Sequence, residues 1–545
     1  MKINLAQLNY HIGNFAGNLK LMQEAVQKAI HENADIVCFS ELGTCGYPPR
    51  DFLEFKDFIK QSMAVVQALC ELSDKIAIVV GAPTVNPNLE GKDLHNSLFF
   101  LHDKKVKFLG HKALLPNYDI FDEYRYFEPG KEFDILEFKG KKIAFSICED
   151  IWNLGNLNPM YTVCPLDLVM DQSPDFILNI SASPFSYEHA MERIDVIRAN
   201  VLKYKIPLFY VSCYGAQTDI LFDGGSTVMS PDGTVFDEMP FFEPCQRSYE
   251  LAEVIKGGLD RMQPRESRDL IYRGLVMGIR DYFSKMGFSK AILGLSGGID
   301  SALTAVLATH ALGKENIMVL LMPSEISSEG SILDAKALVE NLGIQFEIIP
   351  IGPVFNTYIE SLNPYFKNLP QNVTEENIQA RIRGMLLMAF SNKFGYILLN
   401  TTNKSEMAVG YGTLYGDLCG GLAVLADVYK TQVYELSNYI NRDQLIIPQN
   451  SISKAPSAEL RPGQKDSDSL PEYAILDKIL YQYIEQRKGP DEIIAMGFDS
   501  ETVLRSLKLV NKAEFKRYQS PPVIRISSKS FGLGRRLPIE GKYLC

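Results

Sequence analysis

The sequence predicts an α/β protein of two domains, and three observations carry that expectation. A chain of 545 residues is longer than one hydrophobic core supports, since single cores stop growing at roughly 250–300 residues. Its first half alternates short β-rich runs with amphipathic helical patterns. Its second half runs strand, helix, strand, helix, strand, an order that implies a parallel, doubly wound sheet.

Composition narrows the class. With 46% hydrophobic and 22% charged residues the chain is globular in character, and no run approaches the roughly 20 apolar residues of a membrane span. The opening "MKINLAQLNYHIGNF" breaks its apolar character with Asn, Gln and His, so it lacks the continuous core of a secretory signal and is expected to be the first strand of a cytoplasmic protein. Nine cysteines, at 38, 45, 70, 148, 164, 213, 245, 419 and 545, form no C-x-x-C pair and have no His at zinc spacing, which argues against structural zinc and a disulfide framework. A formal charge of −11 argues against a nucleic-acid partner. Small molecules are the expected partners, with neither nucleic acid nor membrane.

In the first half the strand signals are "KINLAQL", "ADIVCFSE", "IAIVVGAPT", "NSLFFL", "KIAFSICED", "FILNISAS", "PLFYVSCYG" and "GGSTVMSPDG", with an amphipathic helix from Asn18 to Asn33. Strand signals stop after "DGTVFDEMPFFEPCQRSYEL", and the helical pattern "ESRDLIYRGLVMGIRDYFSKMG" follows. The junction is expected near Leu259 to Pro264, giving domains 1–262 and 263–545. The second half continues with strand "KAILGL", helix "SALTAVLATHAL", strand "IMVLLMP", helix "GSILDAKALVENLG" and strand "FEIIPI". The polar, Pro-bearing tract "APSAELRPGQKDSDSLPEY" is expected to be a mobile loop.

"GLSGGIDS", Gly294 to Ser301, closes the first strand of that sheet, where ligands of such sheets bind. Backbone N–H groups of Ser296, Gly297 and Gly298 can converge there on one anion, and the following helix N-terminus adds its partial positive charge. A Walker A loop would place a Lys before the Ser, and Ile299 and Asp300 stand there instead. Asp300 beside a phosphate would repel it unless a divalent cation lay between them, which suggests Mg²⁺. The plainer alternative is a helix start whose small residues only allow tight packing.

"LSGGIDS" resembles the pyrophosphate loop of the ATP-pyrophosphatase group, whose members split ATP into AMP and pyrophosphate while adenylating a substrate. "MPSEISSEGSILDAKAL", "EENIQARIRGMLLMAFSN", "LLNTTNKSEMAVGYGTLYGD" and "KAPSAEL" resemble NAD synthetase domains over most of the second half. The resemblance implies an adenine nucleotide alpha hydrolase-like fold, with ATP held by Gly294, Leu295, Ser296, Gly297, Gly298, Ile299, Asp300, Ser301, Thr401, Lys430 and Ser457. It implies Mg²⁺ shared by Asp300 and Glu406, and deamido-NAD gripped by Asn377, Arg381, Glu406 and Lys516. Leu414 stands where the single-domain form usually has a Lys. A carboxylate is a poor acyl donor, so adenylation would precede attack by ammonia.

Ammonia is scarce and mostly protonated at neutral pH, which gives such an enzyme reason to make its own nucleophile. "VCFSELGTCGYPP", "GHKALLPNYDIFDEYRYF" and "KIAFSICEDIWN" each put a reactive residue, Glu41, Lys112 and Cys148, at the end of an apolar strand. A thiolate attacks amides, a nearby Lys⁺ lowers the thiol pKa and offers charge to the oxyanion, and a carboxylate takes the proton. Taken singly, a buried Cys is usually inert, and a strand-end Glu or Lys usually lies on the surface. The three together resemble the nitrilase (carbon–nitrogen hydrolase) superfamily, which implies an αββα sandwich and a Glu–Lys–Cys triad. Glu123 matches its supporting second glutamate.

An amide-hydrolysing half fused to an ammonia-consuming half is similar to the arrangement of the glutamine-dependent NAD synthetases. That resemblance implies glutamine binding by Tyr118, Glu149 and Ser183, with His189 where a Lys or Arg is common. It also implies homo-oligomers joined through the synthetase halves and an internal tunnel for ammonia. Two alternatives stay open: the same ATP chemistry acting on a different carboxylate, and one half serving as a binding or scaffolding module without catalysis.

Overall fold

A computed structural model describes residues 1–544 of the chain except 157, 159 and 368. The chain forms two compact units, Met1–Glu266 and Ser267–Cys545. The division falls at the start of the helix Ser267–Met286, a few residues beyond position 262.

The first unit is built on two six-stranded sheets. One runs, edge to edge, Cys245–Glu250, Lys2–Gln7, Ile36–Cys38, Ala77–Val85, Leu94–His102 and Lys105–His111. The other runs Val235–Glu238, Thr227–Met229, Leu208–Ser212, Phe176–Ser181, Lys141–Ile147 and Ile135–Phe138. In each, three successive strands pair in parallel, so both faces must be covered, and the strands are apolar nearly throughout. Side-chain alternation assigns the layers. Ile3, Leu5, Ile36 and Cys38 of the first sheet pack with Ile143, Phe176, Leu178 and Val211 of the second in one shared core. Their neighbours Ala6, Val37 and Val80 turn the other way and meet Met22, Val26 and Val66 of the helices Phe15–His31 and Lys56–Glu71. The outer face of the second sheet packs on Ile194 and Ile197 of the helix His189–Tyr204. The result is an αββα sandwich.

The second unit holds a five-stranded, wholly parallel sheet in the order Gln345–Ile348, Ile317–Leu321, Ala291–Gly294, Ile397–Asn400, Leu422–Ala423. The earliest strand lies in the middle, and the chain fills one side before crossing to the other. Such a reversal opens a crevice beyond the strand's carboxyl end. The helix Ile299–Leu312 that follows is apolar all round because the sheet and its neighbours bury it, with Ala302, Leu303, Val306 and Leu307 at or near zero exposure. Farther on, the helix Ser500–Lys512 is one-sided. Asp499 caps it by accepting from the Thr502 N–H, and Val503, Leu507 and Val510 face inward at helical spacing. No helix among the described residues is long and apolar enough to cross a membrane.

Candidate functional site

Two separate sites emerge, one in each unit. In the first, Glu41, Lys112 and Cys148 all lie just past the ends of strands, Ile36–Cys38, Lys105–His111 and Lys141–Ile147. The turn carrying Glu41 sits directly on the strand Ala77–Val85, and a Cβ at Gly81 would come within 2.4 Å of the Leu42 nitrogen, so only glycine allows that approach. Cys148 has a φ of 45°, a strained left-handed backbone for a non-glycine residue. Asp150 holds that turn by accepting from the N–H groups of Ala113, Leu114 and Ile147 at 2.9–3.0 Å. One buried carboxylate thereby fastens the segment after Lys112 to the turn that carries the thiol.

The Lys112 ammonium is buried and lies 2.7 Å from Glu41 Oε1 and 2.8 Å from Glu123 Oε1. Glu41 also accepts from the Asn96 amide at 2.7 Å and from the Ala182 N–H at 3.1 Å, and Glu123 accepts from the Tyr47 hydroxyl at 2.8 Å. Burial alone would discharge Lys112, yet Glu123 and Glu41 push its pKa well above the usual lysine range. For Cys148 burial raises the thiol pKa, Glu41 raises it further, and Lys112 opposes them without prevailing. Lys112 thus acts on the thiol in the direction expected of it, lowering its pKa, but burial and the carboxylates of Glu41, Glu149 and Glu123 outweigh that pull.

Burial also lifts the Glu123 carboxyl to about 7, against the opposing pull of Lys112. Its native pKa stands above the unfolded value, so between pH 4.5 and about 7 the folded state binds the extra proton and loses stability as pH rises. Glu123→Gln is expected to flatten that decline. Unfolding midpoints of both proteins at the two ends of this window check it, and equal slopes would contradict the assignment.

Beside the thiol, Glu149 accepts from the hydroxyls of Tyr118 at 3.0 Å and Tyr161 at 2.7 Å. Ser183 Oγ and His189 Nε2 share a hydrogen bond at 3.1 Å. The His189 ring stacks on Trp152 with centroids 5.2 Å apart and has Nδ1 3.3 Å from Glu192. Sequence reasoning missed Tyr47, Asn96 and Tyr161. None stands at the end of an apolar strand beside a recognised nucleophile or base, and only the folded chain brings them to the carboxylates they serve.

In the second unit the crevice is a cavity of about 520 Å³. Gly294, Leu295, Ser296, Gly298, Ile299, Asp300 and Ser301 line one wall. Gly297 does not face it. Its φ is 78°, and a Cβ there would sit 2.2 Å from the Ser331 carbonyl oxygen, so it is the residue that lets the turn close against the neighbouring helix. Ser296 and Ser301 bracket the turn, with the Gly298 N–H donating to Ser296 Oγ at 3.2 Å and Ser301 Oγ donating to the Gly298 carbonyl at 3.0 Å.

Opposite lie Thr401, Glu406, Lys430, Ser457, Asn377 and Lys516. The Lys430 ammonium pairs with Asp300 and stands 4.0 Å from Glu406 Oε1. Burial opposes its charge, but Asp300 and Glu406 raise its pKa. Glu406 is raised well above the carboxylate range, by burial first and by Asp300 second. Two oxygen-donor carboxylates facing each other across one cation suit a hard divalent ion. Among the described residues no group of three or more His, Cys, Asp or Glu could hold a metal alone, so Mg²⁺ would draw its remaining ligands from phosphate and water. Asp300 and Glu406 fit that role.

Arg381 does not line the cavity. It is exposed and donates to the Leu414 carbonyl at 3.2 Å, while Arg383, two positions on, is turned inward. Lys516 donates to the carbonyls of Gly410 and Gly412, and Asn377 accepts from the Thr413 hydroxyl. The tract read as a mobile loop lies along the cavity. Glu459 accepts from Ser328 and Ser331 at 3.0 and 2.7 Å, the Leu460 carbonyl accepts from Gln379, and Asp466 accepts from the Tyr473 hydroxyl at 2.9 Å. Its polar composition hid these partners, of which Ser328, Ser331 and Gln379 are far away in sequence.

Each unit matches a known protein family. The carbon-nitrogen hydrolase family matches residues 2–245 and the NAD synthase family residues 271–520. The chain is 45% identical to the glutamine-dependent NAD(+) synthetase of Synechocystis sp. over 98% of both proteins. It is 39% identical to that of Thermotoga maritima, over 100% of this chain and 99% of the relative. The solved structure of glutamine-dependent NAD+ synthetase from Acinetobacter baumannii, in complex with ADP, superposes with a TM-score of 0.78 at 37% identity, covering 99% of this chain and 98% of that one. The class is thus a two-part amide-forming ligase, a carbon–nitrogen hydrolase joined to an ATP-pyrophosphatase-type synthetase. Within that class the chain belongs to the glutamine-dependent NAD⁺ synthetase family.

Proposed function

We propose that the first unit hydrolyses glutamine and that the second uses ATP to amidate deamido-NAD with the ammonia released. The reading rests above all on one chain carrying a buried thiol beside a Lys112–Glu41–Glu123 cluster and, separately, a cavity where Lys430 faces Asp300 and Glu406.

At the first site Glu41 would take the proton of the Cys148 thiol as sulfur attacks the side-chain amide of glutamine, and Lys112 would offset the oxyanion charge. Ammonia leaves, and Glu41 then activates the water that cleaves the thioester. Glu149, with Tyr118 and Tyr161 behind it, suits the α-ammonium of glutamine. Ser183 and His189 suit its α-carboxylate, His189 contributing charge only when protonated.

At the second site the turn Ser296–Ser301, with Thr401, Lys430 and Ser457, would hold the triphosphate, while Asn377, Glu406 and Lys516 would orient the dinucleotide. Mg²⁺ held by Asp300 and Glu406 would neutralise phosphate charge as pyrophosphate departs. The nicotinate carboxylate displaces pyrophosphate, and ammonia then displaces AMP from the acyl-adenylate to leave the amide.

The decisive assay incubates the protein with ATP, Mg²⁺, deamido-NAD and either glutamine or ammonium, and follows NAD⁺, AMP, pyrophosphate and glutamate. AMP release with another carboxylate and none with deamido-NAD would overturn the substrate.

We also propose a homo-oligomer joined through the second unit. The strand Gln345–Ile348 is exposed at every position, and the adjoining helix Gly352–Phe366 buries none of its residues yet carries Val354, Tyr358 and Tyr365. An apolar helix face and an open sheet edge invite a second copy. Sedimentation should return a multiple of 61.2 kDa, and a monomer at micromolar concentration would refute it.

A further inference from the structure

We propose that Ser405 and Asp477 are positioning residues that set Lys430 against the carboxylates of Asp300 and Glu406. The inference rests on reading the second cavity as the ATP site. The Ser405 hydroxyl accepts from the Lys430 N–H at 2.9 Å and donates to Asp477 Oδ1 at 2.5 Å, while Asp477 Oδ2 accepts from the Thr431 N–H at 2.8 Å. One hydroxyl and one carboxylate therefore tie together three elements. These are the helix Lys404–Val409 with Glu406, the first turn of Lys430–Ile440, and the helix Tyr473–Ile484 that carries Asp477.

Both groups are buried, Ser405 completely and Asp477 to 5% exposure, so water does not compete for these bonds and their loss leaves orphaned partners. Asp477 also lies where a carboxylate is favoured, at the N-terminus of the helix Lys430–Ile440, accepting the Thr431 N–H that has no partner within the helix. The same short peptide is anchored on its other side. The Lys404 ammonium is enclosed by Glu485 Oε1, Asp427 Oδ1 and the Ser527 hydroxyl, each at 2.8 Å. Glu406 lines the cavity and Asn403 donates to Asp300 Oδ1 at 3.0 Å, while Lys404 and Ser405 turn into the interior. The side chains facing the cavity are thus aimed by two that never reach it. Removing the Ser405 hydroxyl frees the first turn of Lys430–Ile440, and a shift of an ångström at a charged site costs on the order of 10²-fold in rate.

The test compares the full-length protein with Ser405→Ala and Ser405→Thr, which keeps the hydroxyl. Calorimetry reads the affinity for a non-hydrolysable ATP analogue with and without Mg²⁺, and ammonium-driven synthesis and glutamine hydrolysis are measured alongside. Ser405→Ala is expected to weaken analogue binding about 10-fold, to raise the Mg²⁺ needed for half-saturation by a similar factor, and to slow ammonium-driven turnover by ~10–100-fold. Glutamine hydrolysis stays at the wild-type rate, and Ser405→Thr recovers most of the loss. If Ser405→Ala does not fold, Asp477→Asn, equal in volume and still an acceptor, is read in the same way. Wild-type affinity and Mg²⁺ requirement in a folded variant, or a Thr variant no better than Ala, overturns the proposal. Failure of the wild-type protein itself to bind the analogue would instead overturn the reading of the cavity.

Discussion

Cys148→Ala should abolish glutamine-driven NAD⁺ formation, by at least ~10³-fold, while ammonium-driven formation proceeds at the wild-type rate. The Cys148 sulfur is the strongest nucleophile beside the Glu41–Lys112–Glu123 cluster, where Lys112 is held as an ammonium, and the chemistry assigned to the second unit does not pass through it. Alanine fits the space without strain beyond that already present at a φ of 45°, so the expected effect is chemical rather than structural. Two assays on one preparation decide it. Loss of both activities would mean that the two half-reactions do not occupy separate sites, and retained glutamine use would mean that another group supplies the nucleophile.

Asp300→Asn should lower synthesis from both nitrogen sources by ~10²–10³-fold and leave glutamine hydrolysis intact. Asparagine keeps the shape and can still accept from the Asn403 amide, but it removes the negative charge paired with Lys430. Without that charge Glu406 alone faces the lysine, and the site loses half of the donor pair suited to a divalent ion. The same change relieves the repulsion that helps raise the Glu406 pKa, so this carboxyl should titrate at lower pH in the variant. AMP release measured against Mg²⁺ concentration separates a lost metal site, which excess Mg²⁺ partly restores, from a collapsed loop, which it does not.

The contrast between Cys148 and Asp300 on one side and Ser405 on the other marks how far residue order reaches. Cys148, Lys112 and Glu41 stand at strand ends in an order recognisable without coordinates, and "LSGGIDS" marks a tight strand-to-helix turn through its small residues alone. Asp477 and Ser405 lie 72 residues apart, and nothing local to either names the other. Arg381 and Arg383 make the same point on one helix. The resemblance points to Arg381 as a substrate grip, and only helix rotation decides that Arg383 faces the cavity instead and Arg381 the solvent.

By itself, then, the order of residues determined the two α/β units, the strand-end placement of the reactive groups and the glycine turn before the helix Ile299–Leu312, because periodicity, glycine and apolar runs act over a few neighbouring residues. Tertiary structure alone decided the charges that surround the Cys148 thiol, the partners of Glu123 and Glu149, and the seating of Lys430. Each of these depends on burial and on charges delivered from distant segments, and desolvation and Coulomb energy follow distance in space rather than along the chain.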